Sequence, residues 1–368
     1  MKEKITKFLK KEIVLVIAII CAIITCAFVP IDKEYLNYFD YNTLICLFCI
    51  LAVVAGLKTT NVFEVVSRKI ISKFHNRRSV IYALVFGTFF FDMIVANDMS
   101  LITFLPLTYI ILHQTDNDKY LAFTFIVQTI AANMGGMITP YGNPQNLYLY
   151  SYYNIGTTEF FGILLVQSIM IAILLYIVCA FIKPEPLKLK DKNKIKIDKK
   201  KLYVYVALFY LVILTIFRII PNLITLIIVI IAIVLTDIKD LKKVDYALLG
   251  TFCAFFIFSG NIARIEQIKE FIYNIVTKNT LVAGIVSCQF ISNVPTAIFL
   301  SKFTANYSDL LVAVNIGSLG ILISSLASLI TLKEFLKHQP QNFKKYMGMF
   351  TLINTAFLIV MLIITMLT

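Results

Sequence analysis

The chain has 368 residues, 59% hydrophobic and 15% charged, with a mean hydropathy of +0.84. A soluble domain carries about 25% charged residues, so this composition predicts an all-α membrane protein with many crossings and excludes an ordinary soluble domain. The net charge of +13 gathers in loops between apolar runs, which reads as the positive bias of cytoplasmic loops and gives no support to nucleic-acid binding.

Five lysines precede Glu12 and predict a cytoplasmic N-terminus. The apolar run after them has the flank of a signal peptide but no A-x-A cleavage site, so a retained first span is expected over residues 13–29. Residues 41–57 return across the membrane. Val62, Val65, Val66, Ile70 and Phe74 then keep helical spacing among charges, which predicts an amphipathic helix on the membrane surface.

Residues 80–112 hold two apolar runs of about 15 residues, each short for a span of roughly 20. Between them lies the polar tip Ala96-Asn97-Asp98-Met99-Ser100. This favours a re-entrant hairpin over two full spans with a loop at Asn97. A broken helix is expected over 120–150 and a full span over 160–182. The basic linker 183–201 has nine lysines and three acids and is expected in the cytoplasm.

The next apolar run, 202–236, is too long for one span and divides at Arg218 and Pro221-Asn222, leaving 202–217 as an extra crossing. A second set of elements follows in the same order within 218–368: a span over 246–262, an amphipathic helix, a hairpin over 281–302, a broken helix over 309–331 and a final span. The extra crossing inverts this set relative to residues 1–182. Two inverted repeats with about nine full spans and two hairpins result, a pattern of secondary transporters. The same threading leaves 28 of the 34 Lys and Arg inside and puts the C-terminus outside, in the plasma membrane.

In hydrocarbon every backbone N–H and C=O must be satisfied internally, so unwound backbone survives where it lines a cavity or holds a ligand. The stretch from Thr129 to Leu149 is such a break, with Pro140, Gly142 and Pro144 and the amides Asn143, Gln145 and Asn146. Both broken helices carry N-x-G, as Asn133-Met134-Gly135 and Asn315-Ile316-Gly317, and both hairpin tips carry Asn, as Asn97 and Asn293. Half-helix N-termini attract an anion, while free carbonyls and amide oxygens suit a small cation. Candidate substrate-binding residues are therefore Asn97, Ser100, Thr139, Asn143, Ser292, Asn293, Thr296 and Ser324. Candidate ion-coupling residues are Asp92, Asp98, Asn133, Gly135, Asn315 and Gly317, with close helix packing as the alternative role for the glycines. A charge at the bilayer centre costs about 2.5–3.5 kcal/mol on insertion scales, which makes Asp92 and Asp98 functional candidates. The second hairpin has no acid.

The seven cysteines lack C-x-x-C spacing and read as small core residues. His75, His113 and His338 are expected in loops, without the spacing of a metal site. Neither a GxxxxGK[ST] phosphate loop nor HExxH or GxSxG is present, so neither ATP hydrolysis nor another enzymatic activity is expected, and no cofactor.

TPYGNPQNLYLY (139–150), SNVPTAIFL (292–300) and NIGSLGILISSLASLI (315–330) resemble the ion transporter superfamily of citrate-type permeases, divalent anion/sodium symporters and the arsenite-permease group with its sodium/proton antiporters. The similarity runs from about Tyr41 to Leu367. It implies a homodimeric elevator that carries a small anion coupled to sodium or protons, with a bound sodium ion as one option. Ser-Asn-Thr triplets bind carboxylate and sodium in the symporters. The matching positions are Asn97, Asp98 and Ser100 at the first tip, and Ser292, Asn293 and Thr296 at the second. The acid at the first tip and Val294-Pro295 within the second depart from that pattern and lean toward the citrate-permease and arsenite-permease branches. An antiporter or an arsenite-type exporter is the alternative.

Overall fold

Helix caps and helix breakers divide the chain where its apolar runs end. The computed structural model describes residues 12–95, 97–187 and 195–368; the five lysines before Glu12, the tip residue Ala96 and the linker centre 188–194 lie outside the described residues. The first half contains α1 (Ile13–Cys26), α2 (Tyr41–Thr59), α3 (Val62–Ile71), α4 (Arg77–Val95), α5 (Asn97–Gln114), α6 (Leu121–Gly135), α7 (Pro144–Tyr152) and α8 (Thr157–Ala180). After the linker come α9 (Lys199–Ile216), α10 (Asn222–Asp237), α11 (Tyr246–Ala263), α12 (Glu266–Lys278), α13 (Thr280–Ile291), α14 (Asn293–Leu300), α15 (Tyr307–Ile316), α16 (Leu326–His338) and α17 (Phe343–Leu367).

Local chemistry explains many of the starts. Asp40, Asp198 and Asp245 each accept a backbone N–H in the first turn of α2, α9 and α11, and Asn279, Asn306 and Ser325 do the same for α13, α15 and α16. These are side chains that satisfy the orphan donors of a helix N-terminus. Pro144 opens α7, where a missing N–H costs nothing.

Among the described residues every regular element is helical apart from one isolated antiparallel bridge between Asn76 and Pro186, and the chain is an all-α polytopic membrane protein. Seven described helices are long and apolar enough to cross a membrane by themselves. The amphipathic α12 and the first arm of the second hairpin, α13, meet at a bend of 119°.

Packing follows the order of elements twice over. In one group α1 lies on α11, while α9 and α10 lie on α2. In the other, each hairpin packs on its own broken helix, α4 and α5 on α6, α13 and α14 on α15. The second parts of the broken helices cross over: α16 packs on α5 and α6, and α7 on α14 and α15. The groups touch where α7 meets α2 and α14 meets α11. Gly56 and Gly260 hold corresponding places in α2 and α11, and each receives a tyrosine ring. A Cβ on Gly56 would stand 2.0 Å from Tyr205, and one on Gly260 2.4 Å from Tyr38.

Some boundaries differ from the sequence expectation. The arms of the first hairpin are 19 and 18 residues long, because helix continues through the polar Arg77-Arg78-Ser79 and through Asn97 to Ser100. At 1.5 Å per residue each arm is about 27 Å long. The first span is shorter than expected, 14 residues of α1 ending at Cys26. His113 and His338 are not in loops: they lie in the last turns of α5 and α16. Both rings stack on Tyr109, with centroids 5.2 and 3.5 Å away, and so join α5 to α16.

The feet of each hairpin come together. Arg77, at the start of α4, donates to Asn117 beyond the end of α5 at 3.2 Å and to the linker residue Glu185 at 2.6 Å. Thr280 and Thr304 pair in the same way at 3.3 Å at the feet of the second hairpin. The second hairpin's arms, of 12 and 8 residues, are both too short to cross.

Candidate functional site

The first hairpin ends against the break in the first broken helix. Asp92, fully buried near the end of α4, accepts from the Ser100 hydroxyl at 3.0 Å through one carboxylate oxygen and from the Gly136 N–H at 2.6 Å through the other. One carboxylate thus ties together both arms of the hairpin and the first residue of the unwound segment. Gly136 leaves the room this needs. A Cβ there would stand 2.4 Å from Asp92 Oδ2 and 2.6 Å from Asn143 Oδ1, so both oxygens flank the same point. Thr139 completes the contact by donating to the Met93 carbonyl at 3.0 Å.

Amide side chains close the first break from below. Asn143 donates to the Asn133 carbonyl at 3.0 Å, and Asn146 donates to the Gly136 and Met137 carbonyls at 3.3 and 3.0 Å. These bonds replace those lost by the unwound backbone, as burial requires. Three amide oxygens here have no partner among the described residues although they are buried: Asn133 Oδ1, Asn143 Oδ1 and Gln145 Oε1.

The N-x-G asparagines each reach across to the opposite half. Asn133 donates to Ser325 at 2.9 Å, at the start of α16. Asn315 donates to Asn146 Oδ1 at 2.7 Å and accepts from Gln145 at 3.3 Å, at the start of α7. Ser292, at the second hairpin's tip, donates to the Ser324 carbonyl at 3.4 Å. Two hairpins and two broken helices therefore share one buried polar network.

The hairpin tips are built alike. Asn97 Oδ1 accepts from the N–H of Asp98, and Asn293 Oδ1 from the N–H of Val294, both at 2.9 Å. Each oxygen is used locally, and neither amide NH2 has a hydrogen bond among the described residues. At the second tip the chain turns through Ser292 with φ 73°, a conformation rarely held by a non-glycine residue.

In the second break the hairpin contributes a neutral side chain. Gln289, near the end of α13, donates to the Gly317 and Leu319 carbonyls at 2.9 and 3.0 Å and accepts from the Ile321 N–H at 3.0 Å. Ser324 shares its one hydroxyl proton between the Ser318 and Ile321 carbonyls, both at 2.7 Å, and its N–H also donates to the Ile321 carbonyl at 3.1 Å; Ser318 donates to the Asn315 carbonyl at 2.6 Å. Gly320 supplies the left-handed bend at φ +108°.

Of the residues singled out by sequence, Asp92, Ser100, Asn133, Thr139 and Asn143 meet at the first break, and Asn315, Ser292 and Ser324 at its connection to the second. Thr296 instead bonds within its own hairpin, to the Ser292 carbonyl at 2.7 Å. Gly135 and Gly317 sit where helices approach closely: a Cβ would stand 2.3 Å from the Phe89 carbonyl oxygen and 2.8 Å from the Cys288 sulfur, respectively. Asp98 stands apart from the network, its carboxylate without a hydrogen bond or ion pair among the described residues. Gln145, Asn146, Gln289 and Ser325 are network members that the sequence does not single out as a set. Gln145 and Asn146 are visible as amides too costly for lipid, but nothing local signals a partner such as Asn315, 169 residues further on.

Three comparisons bear on this arrangement. The citrate transporter family profile matches residues 4–310. An uncharacterized transporter of Methanocaldococcus jannaschii is 33% identical over 304 residues, covering 82% of each chain. The inner membrane protein YbiR of Escherichia coli is 27% identical over 315 residues, covering 83% of each chain. The chain belongs to the citrate transporter family and is a multi-pass membrane transporter.

Proposed function

We propose that the protein is a secondary active transporter that moves a small anion, a carboxylate or an inorganic oxyanion, coupled to a sodium or proton gradient, by an elevator motion. The observation that carries this reading is the first break: one buried carboxylate, Asp92, with Asn143 Oδ1, an amide oxygen that has no donor among the described residues, on the same side of Gly136, and Asn133 Oδ1 likewise without a donor in the helix that leads into the break. Buried acceptors without donors cost about 1–3 kcal/mol each, and a hard cation is satisfied by such oxygens. Asp92, Asn133 and Asn143 would hold the coupling cation, a co-substrate that brings the positive charge lacking at the site. The free amide NH2 groups of Asn97 and Asn293 are suited to donate to the anion.

The two packing groups support the motion. Helices α4–α8 and α13–α17 would travel together as one body, and α1, α2 and α9–α11 would form the fixed frame, one per protomer of a homodimer. The repeats would be inverted, with the N-terminus and linker cytoplasmic. The buried Asp92 also favours a second reading, a sodium/proton antiporter or arsenite-type exporter, in which the carboxyl exchanges one cation for another.

Proteoliposomes offered external citrate, sulfate or arsenite, with and without an inward sodium or proton gradient, distinguish these readings. Gradient-driven anion uptake that Asp92→Asn reduces at least tenfold, with the same quantity of folded protein, is the expected result. Anion uptake unaffected by Asp92→Asn would remove the first break from the coupling mechanism. Sodium-for-proton exchange without anion movement would favour the second reading.

A further inference from the structure

Each half clamps its break with one side chain of different charge, although the two lie one residue out of register, Asp92 five residues before the tip Asn97 and Gln289 four before Asn293. Near the end of the first hairpin arm in each half, one side chain reaches the unwound segment of the following broken helix: Asp92 to the Gly136 N–H, and Gln289 to the Gly317 and Leu319 carbonyls and the Ile321 N–H. Asp92 brings only acceptors. Gln289 brings a donor as well, and its NH2 occupies the carbonyls that a cation would use.

The balance around each clamp follows the same division. At the first break Asn133 Oδ1 and Asn143 Oδ1 have no donor among the described residues, while Gln145, whose Oε1 is also without one, turns its amide toward Asn315 of the second break. At the second, the side-chain oxygens of Gln289, Asn293 and Asn315 all accept, and the carbonyls of Asn315, Gly317, Ser318, Leu319 and Ile321 are all capped by Gln289, Ser318 or Ser324. A cation entering the second break would meet carbonyls that already share one lone pair with a donor, and no carboxylate to compensate its desolvation.

Building on the reading above, we propose that Gln289 is a positioning residue that closes the second break to cations, so that each chain couples transport to a single cation held at the first break. A repeat architecture by itself would suggest two equivalent cation sites. Here the second break is met by an amide and by no acid, which reduces them to one, and the second half is left to orient the anion through Asn293.

The direct test is cation binding by the purified full chain, followed with radiolabelled sodium in equilibrium dialysis and by the sodium-dependent rise of Tm, with choline as the control ion. One sodium per chain and a Hill coefficient near 1 are expected, with both signals lost in Asp92→Asn. Gln289→Glu removes the donor and adds a carboxylate. It is expected to raise the stoichiometry toward two and to restore sodium binding in the Asp92→Asn background. Gln289→Ala serves as the control for loosened packing and should leave the stoichiometry at one. Two sodium ions per wild-type chain, or one retained in Asp92→Asn and lost in Gln289→Ala, would overturn the inference while leaving a sodium-coupled transporter intact. If no sodium binds, a single pH-dependent step in Tm that disappears in Asp92→Asn keeps the one-cation statement with a proton as the ion. Absence of both responses removes the cation reading of the first break and this inference with it.

Discussion

Asp92 and Gly136 act as one unit, since the carboxylate can reach the unwound backbone only because residue 136 has no Cβ. Gly136→Ala would put a methyl group 2.4 Å from Asp92 Oδ2 and 2.6 Å from Asn143 Oδ1, distances that no real contact of this kind sustains. One of the two side chains must move. The expected outcome is a loss of gradient-driven transport of at least tenfold, comparable to Asp92→Asn, in protein that still reaches the membrane. Gly162 in α8 provides the contrast, because nothing lies within 4 Å of a Cβ there; Gly162→Ala should leave transport unchanged and stabilise slightly, by about 0.5–1 kcal/mol. Equal activity of the two variants in the liposome assay would mean that the Asp92 contact does not matter to function.

Between elements, ion pairs tie loops to helix ends outside the membrane-spanning segments. Arg264, at the end of α11, holds Asp32 at 2.6 Å, and its guanidinium keeps that carboxyl below the usual carboxylate range. Arg77 at the foot of α4 does the same for Glu185 of the linker, also at 2.6 Å. A depressed carboxyl stabilises the fold above its unfolded value, near pH 4, and that contribution is lost as pH falls through the lower folded value. These pairs should therefore leave Tm level between pH 8 and 5 and contribute to a fall below about pH 4. In Asp32→Asn/Glu185→Gln the fall should be shallower, with Tm already lower at pH 7. A pH series of thermal unfolding in detergent checks this, and an identical low-pH slope in both proteins would contradict it.

For the whole molecule, orientation follows from the distribution of charge. The expected threading leaves 28 of the 34 Lys and Arg on one side, and under the positive-inside rule it predicts a cytoplasmic linker and a C-terminus outside. A cysteine at position 368 in an otherwise cysteine-free protein should react with an impermeant maleimide in intact cells, and one at position 199, at the start of α9, should react only after lysis. The opposite pattern would reverse the topology, and labelling of both positions in intact cells would rule out a single orientation.

The sequence alone determined the membrane class, the helical elements, the paired breaks and the polar residues at their centres, because apolar run length, helical spacing and Gly/Pro punctuation are local properties that burial in lipid enforces. It also carried the family likeness, through the motifs at both breaks. Other features were decided only by tertiary structure. Nothing near Asn133 in sequence indicates that it bonds Ser325, 192 residues away, or that Gln289 occupies carbonyls that a symmetric reading would offer to an ion. Asp98 looked as suitable as Asp92, since both are acids near one tip, and only packing separated the carboxylate bonded to the break from the one outside the network. Which acceptors remain unsatisfied is a balance over all long-range donors, and that balance exists only once the two halves have closed on each other.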